Sequence, residues 1–144
     1  MGQIANAIGE GADFTFKERS YKVSPCTYEV QGHFERYLES YAIDTYYKLA
    51  RRLSPEEQDK ALAQLHRDIT SGRYSFGGQA VREALDSALH LQYMIFLMLK
   101  KQNPEVTPEL VREMFREQRE KLMIAVNLAN ADPNPQSSEK TEAR

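Results

Sequence analysis

Apolar and polar residues alternate along Phe14-Thr15-Phe16 and again along Ser20-Tyr21-Lys22-Val23, on either side of Lys17-Glu18-Arg19. A period of two on both sides of a short polar turn predicts a β-hairpin. A lone hairpin is marginal in water, so it is expected to pack on the helices or to pair with another chain. Ser24-Pro25 ends the second strand, and Thr27 is placed to cap a helix. The period then lengthens to that of a helix. Val30, Phe34, Tyr37, Leu38 and Tyr41 share one face, after which the stripe moves to Ile43, Tyr46, Tyr47, Ala50 and Leu53. That shift of phase predicts a kink or break near Asp44.

The next start is better marked. Ser54-Pro55-Glu56-Glu57 offers a hydroxyl cap, proline in the first turn and a glutamate three residues after the cap. Ala61, Leu62, Leu65 and Ile69 form its expected buried stripe, and Gly72 suits its C-terminal end. Arg73 to Gly78 reads as a loop carrying two aromatics, Tyr74 and Phe76. From about Gln79 to Gln102 the pattern predicts the longest helix, amphipathic at first and apolar all round from Leu91 to Leu99. A helix apolar on every side is buried on every side, in a core or an interface. Asn103-Pro104 stops it. Thr107-Pro108 starts a last helix, with Leu110, Val111, Met114, Phe115, Leu122 and Val126 facing inward. The expected fold is therefore mainly α, four to five helices with a short N-terminal β-hairpin. Residues 1–13 read as a flexible lead-in, 14–131 as a single domain, and 132–144, which lack any apolar period, as a disordered tail.

Composition narrows the class. A chain of 144 residues suits one domain with a real core. Lysines and arginines are interspersed with acids at a formal charge of -2, so no basic stripe suggests nucleic acid. One cysteine, Cys26, cannot build a disulfide framework, which favours a reducing compartment. The N-terminus lacks the pattern of a signal peptide. The longest apolar run, Met94 to Leu99, is far short of the roughly 20 residues that span a bilayer. A cytoplasmic protein with no membrane partner is expected.

Candidate chemistry is sparse. His33, His66 and His90 fall in no zinc-binding spacing and are expected to be structural or solvent-facing. Cys26 has no histidine marked as its base, and reads as a small semi-buried hydrophobe. The glycines from Gly72 to Gly78 match no phosphate-binding fingerprint. Glu56, Glu57, Asp59 and Asp68 belong to a helix of alternating charge, expected to be a solvated face. No catalytic, metal or cofactor residue is assigned, and the chain is not expected to be an enzyme. The tyrosines carry more. Tyr28, Tyr37, Tyr41, Tyr46 and Tyr47 crowd one helical stretch, and they either roof the core or line a partner groove. Tyr41 lies on the stripe of Phe34 and Leu38 and is expected in the core; Tyr46 and Tyr47 are the better binding candidates. Met94 and Met98 pose the same choice, since flexible thioethers serve irregular cores and adaptable surfaces alike. The candidate partner-binding set is Tyr37, Tyr46, Tyr47, Tyr74, Phe76, Met94 and Met98.

Three stretches carry a resemblance. The hairpin followed by Ser24-Pro25-Cys26-Thr27, the Ser71-Gly72-Arg73-Tyr74-Ser75-Phe76-Gly77-Gly78 loop leading into a long helix, and Leu97 to Thr107 with its Asn-Pro-Glu-Val-Thr end look similar to the tail assembly chaperones of tailed bacteriophages. Together they cover roughly residues 14–130. The resemblance implies a protein that binds the long, aggregation-prone tape measure protein in the host cytoplasm. It would keep that protein soluble while the tail tube polymerises, and be absent from the finished virion. Members are often made in a second, longer form by ribosomal frameshifting. Self-association is expected to cover the apolar binding surface at rest. The alternative is a structural head-tail or packing adaptor component of the particle.

Overall fold

The computed structural model of the chain describes residues 11–131; the tail over 132–144 and most of the lead-in lie outside the described residues. Five helices and one two-stranded antiparallel sheet are found among them: β1 (Ala12–Phe16), β2 (Arg19–Val23), α1 (Tyr28–Ala50), α2 (Pro55–Thr70), α3 (Gln79–Leu85), α4 (Ala88–Lys100) and α5 (Pro108–Ala129). The fold is mainly α with an N-terminal hairpin. The first strand starts at Ala12, inside what reads as lead-in. The described residues gather into two compact units: 11–27 with 92–131, and Tyr28–Leu91.

In the first unit the hairpin register pairs Phe14 with Tyr21 and Phe16 with Arg19. Phe14, Phe16, Tyr21 and Val23 are buried on one face, as period two requires. The turn is shorter than expected, two residues rather than three. Lys17 and Glu18 both take positive φ, 48° and 66°, the conformation that lets a two-residue turn follow strand twist. Neither is glycine, and side-chain ties help to hold the strained turn. Lys17 pairs with Glu113 of α5, and Arg19 reaches Glu105 at 2.6 Å. Asn103 does more than stop a helix. It is buried, and its Nδ2 donates to the carbonyls of Lys22 at 2.8 Å and Leu99 at 2.7 Å, tying hairpin to helix end. From Leu91 to Leu99 no residue of α4 is exposed, as the all-round apolar pattern demands. Met94, Ile95, Met98 and Leu99 of α4 are buried in this unit's core, as are Val111, Met114, Phe115 and Leu122 of α5. Thr107 caps α5 by accepting from the Leu110 N–H.

The second unit holds α1, α2, α3 and the first turn of α4. α1 runs unbroken for 23 residues, so the kink expected near Asp44 is not there. The phase shift is absorbed without a break: Ile43, Tyr46 and Ala50 are partly buried, whereas Thr45 and Leu49 are exposed, and the backbone stays helical throughout. The long helix expected from Gln79 to Gln102 is instead two. α3 ends where Asp86 and Ser87 donate N–H groups to Glu83 and Ala84, three residues back. α4 restarts with Leu91 N–H to Ser87 carbonyl. α2 carries the full capping box, Ser54 with Glu57, and the backbone hydrogen bond pins the Glu57 carboxyl below its usual range. At its other end Gly72 (φ 82°) and Arg73 turn back in a Schellman arrangement, Arg73 N–H to Asp68 carbonyl and Gly72 N–H to Ile69. Yet none of α2 is buried: Ala61, Leu65 and Ile69 are partly exposed and Leu62 more so, at 47%. Of the stripe expected to be core, Ala61 and Leu65 face an open space.

Candidate functional site: an apolar cleft beside α1

That space is a cleft of about 640 Å³ within the second unit. Its floor is α1, through Leu38, Tyr41, Ala42, Thr45, Tyr46 and Leu49, with Leu53 just beyond. One wall is α2, through Ala61, Gln64, Leu65 and Asp68. The far end is closed by Arg73 and Tyr74 of the loop, by Ala80, Glu83 and Ala84 of α3, and by Ser87 and His90. The local sequence explains the shape. The connection between α1 and α2 is only four residues, 51–54, which makes the helices antiparallel neighbours. Gln58 fastens that turn, its amide donating to the Ala50 and Leu53 carbonyls at 2.6 and 3.1 Å. Tyr46 adds a longer bond to the Gln58 carbonyl, 3.4 Å. At the other end Glu35 accepts the Phe76 N–H at 2.7 Å and holds the loop, while the Phe76 ring stands edge-on to Phe34.

The aromatic lining is organised around His90. The Tyr37 hydroxyl lies 2.8 Å from His90 Nδ1, and the imidazole stands edge-on to Tyr41 with ring centres 4.7 Å apart. Partial burial holds the His90 pKa below the ordinary histidine value and so favours the neutral ring. Burial also pushes the Tyr74 phenol up, with Asp68's charge adding to the effect. Tyr41 is 44% exposed and Leu49 49%, so apolar surface is left facing solvent along the cleft. Tyr41 is therefore not the core residue its position on the stripe suggests.

The residues singled out from sequence separate into three groups. Tyr46 and Tyr74 line the cleft, and Tyr37 reaches it through His90. Tyr47 is 64% exposed and packs edge-on against Tyr46, outside the lining, while Phe76 braces the loop from Phe34. Met94 and Met98 are only 4% and 1% exposed and belong to the core of the other unit, so they offer no surface to a partner. Ala42, Thr45 and Leu49 carry no mark in the sequence, and Asp68 and His90 read there only as a solvated acid and a structural or solvent-facing histidine. The spacing Leu38-Ala42-Thr45-Leu49 was the available signal, weakened by the small or polar residues in it.

Cys26 matches its sequence reading. It is half-buried, its sulfur is 3.7 Å from that of Met94, and burial raises its pKa, the reverse of an activated thiol. Among the described residues no group of three or more His, Cys, Asp or Glu is placed to hold a metal ion. None of the described helices is long and apolar enough to cross a membrane. Comparison with protein-family models, with curated proteins and with solved structures found no match.

Proposed function

We propose that this chain is a binding protein that receives an amphipathic helix of another protein in the cleft beside α1, and that it serves as a tail assembly chaperone for a phage tape measure protein. The observation that carries the first part is the cleft itself: apolar side chains on α1 and α2 left open along one continuous groove. Helix-in-groove recognition needs such a surface, with anchors at helical spacing and aromatic residues among them. Burying apolar surface there is worth roughly 25 cal/mol per Å² before the costs of association are subtracted. The second part rests on the resemblance of the hairpin, the Gly72 to Gly78 loop and the Asn103 to Thr107 segment. A holdase for a long helical client would work through repeated weak contacts of this kind, in the host cytoplasm, and leave before the particle is complete.

The test is co-expression with a tape measure protein of the same genome. The chain should raise the soluble fraction of that protein, co-purify with it, and be missing from finished particles. A chain that stays in purified particles would instead be the structural head-tail or packing component.

A further inference from the structure

The cleft is neutral along most of its length and charged at one end. Three of its lining side chains are ionic: Asp68, Arg73 and Glu83. Arg73 is already engaged, with Nη2 3.7 Å from the Glu83 carboxylate and Nη1 donating to Gln79 at 3.0 Å. Asp68 takes its hydrogen bond from a neutral donor, the Gln64 amide, at 2.8 Å. One negative charge is thus left over beside Tyr74. The placement is directional. Ala61, Leu65 and Asp68 recur at four and three residues, so they share one face of α2. Asp68 stands one turn beyond the last apolar residue of that wall. On α1, Leu38, Ala42, Thr45 and Leu49 cover 12 residues, about 16 Å or three turns at 1.5 Å per residue.

We propose that the occupant of the cleft is a three-turn amphipathic helix whose apolar stripe ends, one turn on, in a lysine or arginine that pairs with Asp68. This rests on the cleft being the binding site, and it adds a sequence requirement to the partner. Apolar anchors at helical spacing would fill the groove between Leu49 and Leu38. The basic residue would neutralise the leftover carboxylate, and an acidic residue there would meet Asp68 and Glu83 as like charges. Repulsion of that kind selects partners as effectively as attraction does.

Two synthetic helical peptides test it, identical in their apolar stripe and carrying lysine or glutamate at the terminal position. Anisotropy titrations use the full chain and its Asp68→Asn, Asp68→Lys and Leu49→Asp variants, each checked for an unchanged melt. The lysine peptide should bind about fivefold tighter, and the preference should shrink with added salt as a surface pair does. It should vanish in Asp68→Asn and reverse in Asp68→Lys. Equal binding of both peptides, lost in Leu49→Asp, would overturn the charge requirement while leaving the cleft as the site. No binding by either peptide, or binding indifferent to Leu49→Asp, would overturn the cleft reading and this inference with it.

Discussion

Gly77 and Gly78 are neighbours in one loop, yet their replacement should differ in cost because the reasons for glycine differ. Gly77 has φ 90° with open space where a Cβ would go. Gly78 has ordinary φ, but a Cβ there would press on the carbonyl oxygens of Arg73, Gly72 and Ser75, the last two at 2.6 and 2.8 Å. Gly77→Ala should cost about 1 kcal/mol, the left-handed penalty. Gly78→Ala should cost more, about 2 kcal/mol or above, because backbone must move; urea melts of the pair give the order directly. Gln118 is a second residue whose role is hidden in the sequence. It interrupts α5 with φ -138° and ψ 45°, and its side-chain oxygen is buried with no hydrogen-bond partner among the described residues. It also sits on the seam Val111-Phe115-Gln118-Leu122-Ala125, where an apolar residue would be expected. Gln118→Leu should raise stability by about 1 kcal/mol, read as a melting temperature about 3 °C higher. A lower melting temperature would show that the oxygen is satisfied, for example by water.

At the scale of elements, sequence patterns located starts and stops better than continuity. The hairpin was legible because its four buried apolar residues alternate strictly, and α2 and α5 because their caps carry specific chemistry: Ser54 with Glu57, Thr107 with Pro108. α1 reads as broken because its apolar stripe does change phase near Asp44, and a change of phase does not require the backbone to leave helical geometry. α3 and α4 were misread as one because Asp86-Ser87 is a weak stop beside a long apolar run. That run is the best-determined element. Phe96 is buried, with Tyr93 beside it and the Lys100 ammonium over its ring at 5.3 Å. Phe96→Asp should unfold the protein, since an unpaired buried carboxylate costs several kcal/mol against a total stability of about 5–15. Circular dichroism should lose its helical minima; a normal helical spectrum and melt would place Phe96 on a surface.

At the scale of the whole molecule, sequence separated core from surface only in part. The residues that fill the first unit were nearly all recognisable, Met94 and Met98 included once their neighbours are seen. The cleft was not, because it is built where α1, α2, α3 and the 73–78 loop converge, and no single stretch displays that convergence. His90 is the clearest example, an isolated histidine in sequence that becomes the hub of Tyr37 and Tyr41. It also gives the fold a pH dependence of definite sign. Its folded pKa lies below the ordinary value of 6.5, so the unfolded chain binds the proton more tightly. The stability from neutral His90 is complete above that ordinary value and is lost as pH falls through the folded one. Between pH 7.5 and 5 the wild type should lose more melting temperature than His90→Gln, which keeps an acceptor for Tyr37. An equal loss in both would show that His90 does not titrate differently in the fold.

If apolar surface on α1 is kept open for a partner rather than left over from packing, a charge placed there should abolish binding and spare the fold. Leu49→Asp tests it most directly, because Leu49 lines the cleft while remaining 49% exposed. The control is Leu128→Asp, an exposed leucine of α5 outside the cleft. Each variant is melted and then assayed for capture of the tape measure protein. Both should melt within about 3 °C of wild type, as surface substitutions do. Leu49→Asp should lose capture by tenfold or more and Leu128→Asp should keep it. Capture by Leu49→Asp at the wild-type level would contradict the account.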